Sequence, residues 1–271
     1  MTLRITILGC GSSGGVPRIG GPGGFWGACD PSEPKNRRRR CSILVERWQE
    51  DAARKTIVLV DTSPDIREQL IDAGVDWLDG VLFTHDHADQ SHGIDDLRMI
   101  AINRRRRVDV HMDSYTSETL MTRFGYCFQT PEGSAYHPIL RAHLIKPGQP
   151  VTIEGEGGPI VALPFDQDHG EIRSLGFRFG PLAYSSDLVG LPEASFAALD
   201  GVTCWIVDAL RYTPHPTHAH VDLALQWIAR VKPPQAVLTN LHVDLDYQTL
   251  KRELPAGVEP AYDRMVFEFE I

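Results

Sequence analysis

The stretch VLFTHDHADQSHGIDDLR, residues 81 to 98, decides how this chain is interpreted. Its first three residues are apolar and typical of a buried β-strand, and His85, His87 and Asp89 follow closely. Side chains two positions apart on an extended segment point the same way, so one metal ion can bind both histidines. Asp89 adds a carboxylate nearby. The pattern indicates a metal site that opens where a strand ends.

Two later stretches make a chance occurrence of His-x-His a poor explanation. DQDHG at 166–170 and YSSD at 184–187 both read as polar ends of strands. Such a density of polar residues at strand ends favours a functional site over a chance pair of histidines.

Composition excludes several classes of protein. The 271 residues are 42% apolar and 23% charged, which is typical of a soluble globular chain. The net charge of −9 argues against general nucleic-acid binding, and no apolar run is long enough for a membrane span. The start, MTLRITILGCG, reads as a strand and not as a signal peptide, and the five cysteines form no close-spaced pair. We therefore expect a cytoplasmic protein with reduced thiols, no membrane partner and no stable nucleic-acid partner.

Strands and helices are mixed along the whole chain. The segment 61–74 predicts a helix, with Ser63 as its cap, Pro64 in its first turn and Gly74 at its end. SYTSETLMTRF and HVDLALQWIARV predict two more helices. We expect one domain over residues 1–271, built from two packed sheets with helices outside. The predicted strands are 4–8, 42–47, 56–60, 80–83, 108–112, 160–164, 175–179, 183–185, 204–207, 236–239 and 266–270.

The basic residues include two runs of four arginines, at 37–40 and 104–107. One interpretation is a solvated strand entry that discourages pairing at a sheet edge. The other is contact with an anionic substrate, because guanidinium groups bind phosphate in a bidentate manner. The sequence leaves both open, for these runs and for Arg98.

THDHAD, at 84–89, resembles the metal-binding signature of the metallo-β-lactamase superfamily. The resemblance implies an α+β fold, a four-layer αββα sandwich with a metal centre at one edge. It extends over most of the chain, because other landmarks occur in order. Asp61 in VDTS resembles a structural aspartate, His169 the third histidine, and Asp187 the carboxylate that bridges two metals.

Several stretches resemble the PhnP-type branch, which contains phosphodiesterases acting on phosphoribosyl cyclic phosphates. They are GCGSSGGVP, RRRRCSILV, HGIDDLR, SLGFRFGPLAYSSD and HPTHAHVDLAL. The resemblance implies a metal-dependent hydrolase that takes a small anionic phosphodiester, cyclic ones included. We expect Zn²⁺ or Mn²⁺ at the three-histidine site, where a bound ion can lower the pKa of water to about 7. A homodimer is left open.

Hydrolysis of a phosphodiester needs a proton donor for the leaving oxygen. His218 matches the histidine that family members place near the leaving group. Asp208 ends the apolar strand CWIVD and could orient it. We expect His218 to be the general acid, with His215 and His220 in reserve.

Two replacements weaken the second metal position that dinuclear relatives have. Gln90 and Asn240 stand where the resemblance implies histidines, whereas the three-histidine set is intact. Neutral carboxamides are weak ligands, so we expect the second metal to be weak, oxygen-coordinated or absent. His242 could replace a missing ligand, because it faces the same side as Asn240 on a strand. The loop GGFWGACDPSEP, residues 23–34, has only Cys29, so we predict that a structural zinc found in some members is missing.

Two classes of alternative remain open. One is a different hydrolase on this fold: an RNA-processing nuclease, a thioesterase or a lactonase. The acidic chain, with no inserted arm, argues against the nuclease. The other is a ligand-binding protein with a residual metal site, against which the retained His218 argues.

Overall fold

The computed structural model describes all residues, 1–271. It contains fourteen strands and seven α-helices. The strands are β1 Thr2–Gly9, β2 Ser42–Trp48, β3 Thr56–Val60, β4 Gly80–Leu82, β5 Val108–Met112, β6 Leu140–Leu144, β7 Val151–Ile153, β8 Ile160–His169, β9 Ile172–Phe179, β10 Leu182–Ser185, β11 Cys204–Asp208, β12 Gln235–Thr239, β13 Val258–Pro260 and β14 Val266–Glu270. The helices are α1 Ile66–Ala73, α2 Ala88–Ser91, α3 Leu97–Arg104, α4 Ser114–Phe128, α5 Glu193–Ala198, α6 Val221–Val231 and α7 Tyr247–Glu253.

The strands form two seven-stranded mixed sheets. The first has the order β14-β1-β2-β3-β4-β5-β6, and its last four strands are parallel. The second has the order β13-β12-β11-β10-β9-β8-β7, and its first four strands are parallel. Parallel strands need crossover connections, and helices supply most of them.

Three apolar layers hold these elements together. The largest lies between the sheets and contains side chains of both, such as Ile5 and Phe177. A second packs α1, α3 and α4 on the first sheet, and a third packs α5, α6 and α7 on the second. The layers are therefore helix, sheet, sheet, helix, and the predicted αββα sandwich is confirmed.

Polar side chains lie close together at the carboxyl ends of the parallel strands. β3 and β4 of one sheet, and β10, β11 and β12 of the other, are followed at their carboxyl ends by polar residues. Carboxyl ends of parallel strands meet at one edge of a sheet. Three of the residues just past those ends, Asp61, Asp187 and Asn240, have left-handed backbone conformations, with φ of 64°, 54° and 62°. Asp and Asn tolerate this region better than most residues, so the chain can turn sharply there.

All eleven predicted strands exist, and three strands were missed. The missed ones are β6, β7 and β13, and each is the outermost strand of a sheet. An edge strand is covered on fewer sides, and each of these three has only one buried residue. They therefore lack the apolar run that marks a central strand.

The helix predicted at 61–74 ends as expected and begins later. Gly74 is its C-cap with φ of 67°, but the cap residue at the start is Asp65. The Ser63 hydroxyl instead donates to Gln69 Oε1 and accepts from Asp65 N. The prediction of Ser63 as the cap and Pro64 in the first turn was wrong, because Ser63 tightens the loop before the helix.

The five cysteines are buried and unpaired, as predicted. None of the helices is sufficiently long and apolar to cross a membrane.

Candidate metal centre

The residues predicted from the sequence come from both sheets and meet at the shared edge. His85 and His87 lie in the loop after β4, and His169 is the last residue of β8. Asp187 follows β10, and Asp208 is the last residue of β11. The three histidines form one group of metal-binding atoms, and His169, Asp187 and His218 form a second. Within each group these atoms lie within 4.8 Å of one another.

A chain of hydrogen bonds fixes the tautomer of His85. Thr84 Oγ1 donates to Asp61 Oδ2 over 2.9 Å, and Asp61 also accepts from Thr84 N over 2.8 Å. The hydroxyl proton is therefore used, so Thr84 Oγ1 accepts from His85 Nδ1, which lies 2.9 Å away. This leaves a lone pair on His85 Nε2, an atom that is buried without any hydrogen-bond partner. A buried nitrogen without a partner is costly unless a ligand occupies its lone pair.

His169 has the same arrangement through a backbone group. Its Nδ1 lies 2.7 Å from Thr217 O and must donate to that carbonyl, so its Nε2 carries the lone pair. Nε2 lies 3.2 Å from His87 Nδ1. The three ring centroids are 4.6 to 5.0 Å apart. Burial lowers the pKa of His85 and of His87, and the neutral imidazole is the form that binds metal. The three histidines therefore fit a divalent ion.

Asp187 is held by the two carboxamides that replace histidines. Gln90 Nε2 donates to Asp187 Oδ2 over 2.9 Å, and Asn240 Nδ2 donates to Oδ1 over 3.4 Å. A carboxylate accepts hydrogen bonds, so both amides must present their NH₂ groups to it. The carboxamide oxygens thus point elsewhere, and Gln90 Oε1 is buried without a partner. Both oxygens of Asp187 therefore accept from amides at the two positions where the resemblance implies histidines.

Two other predicted candidates lie outside the ligand groups. Asp89 belongs to neither, although the Asp187 charge adds to the effect of burial in raising its pKa. His242 also belongs to neither. Its Nδ1 lies 2.9 Å from Asp244 Oδ2 and accepts from Asp244 N. His242 therefore bonds within its own loop and not with the three-histidine group.

His218 and Asp208 form a close pair beside the three histidines. His218 Nδ1 lies 2.9 Å from Asp208 Oδ2, and its ring centroid is 4.7 Å from that of His169. Asp208 is fully buried, and its Oδ2 also accepts from Leu188 N. Burial opposes a charge on His218, but the Asp208 carboxylate outweighs it and raises the pKa of His218 to about 9. The Asp208 carboxylate therefore favours the protonated form of His218, which can act as a proton donor.

The two reserve histidines differ in position. The ring of His215 lies 5.1 Å from that of His218, and its Nδ1 accepts from Thr217 N. His220 precedes α6 and makes no capping hydrogen bond with its side chain. Sequence reasoning missed Thr84 and the Thr217 carbonyl as supports of the centre. Thr84 stands inside the quoted THDH motif, whereas a backbone carbonyl leaves no signal in a sequence.

A buried arginine anchors the loop that follows Asn240. Arg38 is 2% exposed, and its guanidinium donates to Leu245 O over 2.7 Å and to His242 O over 3.3 Å. It also lies 3.9 Å from Cys29 Sγ, which contacts two carbonyls of the same loop. Cys29 is the one cysteine of the loop at 23–34. A guanidinium thus ties the two loops together, and the absence of a structural zinc stays a prediction.

The chain is similar to known proteins over most of its length. The family model described as a β-lactamase superfamily domain matches residues 56–240. A solved structure described as a new diphosphatase from the PhnP family is 33% identical, with a TM-score of 0.86. That similarity covers 99% of this chain and 98% of the other.

Two further relatives are more distant or longer. Zinc-bound PqqB from Methylobacterium extorquens is 15% identical with a TM-score of 0.73, and the match covers 97% of this chain and 99% of that one. It shows a shared fold. A curated protein of Porphyromonas gingivalis named octanoyltransferase is 30% identical over 264 residues, which is 96% of this chain. This chain spans about half of that relative's length, 50%.

The amide clamp on Asp187 predicts the metal content. We expect one tightly bound zinc per chain in chelator-treated, zinc-titrated protein measured by elemental analysis. Gln90→His combined with Asn240→His should add a second tight zinc, because two imidazoles would replace two amide donors. A matched control, Asn103→His with Gln248→His, adds histidines at two exposed positions and should bind one. Two zinc ions of equal, high affinity in the natural sequence would contradict this expectation.

Proposed function

This chain belongs to the metallo-β-lactamase superfamily, in its PhnP-type branch, and from that premise we propose that it hydrolyses small phosphodiesters, cyclic ones among them. Its class, a metal-dependent hydrolase, follows from the family. The phosphodiester substrate is the proposal. One observation carries it: the three-histidine cluster with Asp187 lies next to the His218–Asp208 pair.

The donor set suits one divalent ion. His85, His87, His169 and Asp187 would hold it, with imidazole lone pairs directed by Thr84 and by the Thr217 carbonyl. Such an ion acts as a Lewis acid on a phosphoryl oxygen and acidifies water. Phosphoryl transfer depends mainly on charge neutralisation and in-line positioning, which a rigid cluster of this kind favours.

His218 and Asp208 would supply the proton to the leaving group, and Gln90 and Asn240 hold the Asp187 carboxylate. His218 keeps one N–H on Asp208, so its Nε2 proton is the one it can give to a leaving oxygen. Asp208 is buried and bonded to Leu188 N, which fixes the ring it holds. Asp208 thus acts as a positioning residue for His218. The clamp by Gln90 and Asn240 keeps Asp187 fixed while charge develops.

A diphosphatase is the second candidate. The 33%-identical relative is described as a diphosphatase, and hydrolysis of a diphosphate, like that of a phosphodiester, breaks a P–O bond to a bridging oxygen. The same proton donor would serve its leaving group. The name octanoyltransferase is weaker support for acyl transfer by this chain, because the match covers only 50% of that protein.

Substrate choice gives the first test. Metal-reconstituted protein should hydrolyse bis(p-nitrophenyl) phosphate and phosphoribosyl cyclic phosphate well above p-nitrophenyl phosphate, because a monoester brings an extra negative charge. The screen should also include diphosphates, cyclic nucleotides, a thioester and a lactone. Strong turnover of the thioester or lactone with none of any diester would overturn the proposal. Turnover of diphosphates alone would favour the second candidate.

The role of His218 gives the second test. His218→Ala should lower the rate about 10²–10⁴-fold, as loss of an acid–base group does. The loss should be larger for diesters with alkyl leaving groups than for p-nitrophenyl esters, because a poor leaving group depends more on the proton.

Metal content and a neighbouring histidine are the controls for this test. Elemental analysis should find the same metal content in His218→Ala as in the natural protein. His215→Ala should keep most activity. Loss of the metal in His218→Ala would make that residue a ligand and contradict the assignment.

A further inference from the structure

The two arginine runs behave differently in the structure. In the first run, Arg39 pairs with Asp72 over 2.6 Å and Arg40 with Asp65 over 3.0 Å. Arg38 is buried as described, and Arg37 lies over the Trp26 ring. Each member of this run therefore has an intramolecular partner.

The second run leaves two guanidinium groups without a carboxylate. Arg104 pairs with Asp76, and Arg106 lies 3.7 Å from Asp109. Arg105 and Arg107 have no carboxylate within 4.0 Å, and both are exposed. In a chain with a net charge of −9, two unpaired arginines beside two paired ones form a local positive region.

Protection of a sheet edge does not explain this run. It precedes β5, which lies between β4 and β6 in the first sheet. An inner strand has no open edge to guard. Of the two interpretations left open by the sequence, contact with an anion is the one that the topology favours.

The run lines a cavity of about 670 Å³. This volume is within the range of small-molecule sites. Its lining combines arginines with apolar side chains: Arg98, Ala101, Ile102, Arg105, Arg106, Arg107, Ala135, Tyr136, His137, Pro138 and Ile139. Tyr136 is 77% exposed, so its ring is free to stack on a planar group. A lining that combines guanidinium groups with apolar surface suits an amphipathic anion.

The cavity is separate from the metal centre. Arg105 and Arg107 lie just before β5, and Ile139 lies just before β6. His85 follows the carboxyl end of β4, which runs parallel to β5. The amino ends of parallel strands lie at the opposite edge of a sheet from their carboxyl ends. A ligand in this cavity would therefore be held apart from the three histidines.

We propose that this cavity binds a small phosphorylated molecule with a planar ring, of the class of nucleoside monophosphates. Arg105 and Arg107 bind the phosphate, and Tyr136 stacks on the ring above Ile102 and Pro138. Guanidinium groups match the geometry of a phosphate, and an aromatic ring adds affinity for a base. The proposal is independent of the substrate at the metal centre.

Calorimetric titration of the metal-loaded, full-length protein with AMP tests it, with adenosine and inorganic phosphate as partial probes. AMP should bind more tightly than either part. Arg105→Asn combined with Arg107→Gln should weaken AMP binding at least about tenfold. Asn suits position 105 because the backbone there is left-handed, with φ of 50°. Diester hydrolysis by this variant should equal that of the natural protein.

A control with the same loss of charge, Arg54→Gln with Arg252→Gln, removes two exposed arginines elsewhere and should leave AMP binding unchanged. His218→Ala should also leave it unchanged. AMP binding that survives in the Arg105 and Arg107 variant, or that is lost in His218→Ala instead, would overturn the proposal. Binding of a single-stranded RNA oligonucleotide at these arginines without binding of AMP would overturn it as well.

Discussion

The buried side chain of Asp61 fixes, through Thr84, which nitrogen of His85 can bind a metal ion. Asp61 is fully buried in a left-handed turn, and burial raises its pKa well above the ordinary value, although two hydrogen bonds from Thr84 oppose this. Because the Thr84 hydroxyl donates its hydrogen bond to Asp61, its oxygen must accept from His85 Nδ1. Only one tautomer of His85 satisfies this chain, and its free nitrogen faces the other two histidines. Rigid support of this kind keeps ligands oriented before any ion binds.

Amide groups and an imidazole surround the carboxylate of Asp187. Two cations around a bridging carboxylate would bring four positive charges, whereas here Gln90 and Asn240 offer amide dipoles to Asp187. The imidazolium of His218 lies nearby, with Nδ1 3.8 Å from Asp187 Oδ1. Gln90, Asn240 and His218 thus direct N–H groups or a ring nitrogen at or near Asp187. The amide nitrogens hold Asp187 in place, and the carboxamide oxygens, which are weak metal ligands, are not used for this.

Much of the fold and the candidate site could be predicted from the sequence, because the signals were local. Buried strands carry apolar runs, and His85, His87 and Asp89 follow one of them directly. His169, Asp187 and Asp208 were also found as polar residues at strand ends, and resemblance gave their order and roles. Edge strands such as β7 were not predicted, because their exposed and half-exposed residues weaken the apolar pattern. The orientation of the Gln90 and Asn240 amides, the path of Arg38 and the cavity beside Arg105 depend on tertiary contacts between distant segments. No local pattern encodes such contacts.

The central claim is that this edge holds one metal ion beside a proton-donating His218. Anomalous X-ray diffraction from zinc-soaked crystals, recorded on both sides of the zinc absorption edge, tests it most directly. We expect a single strong anomalous peak in contact with His85, His87, His169 and Asp187, with His218 Nδ1 still bonded to Asp208. Two peaks of equal height bridged by Asp187, or a peak bound to His218, would contradict it.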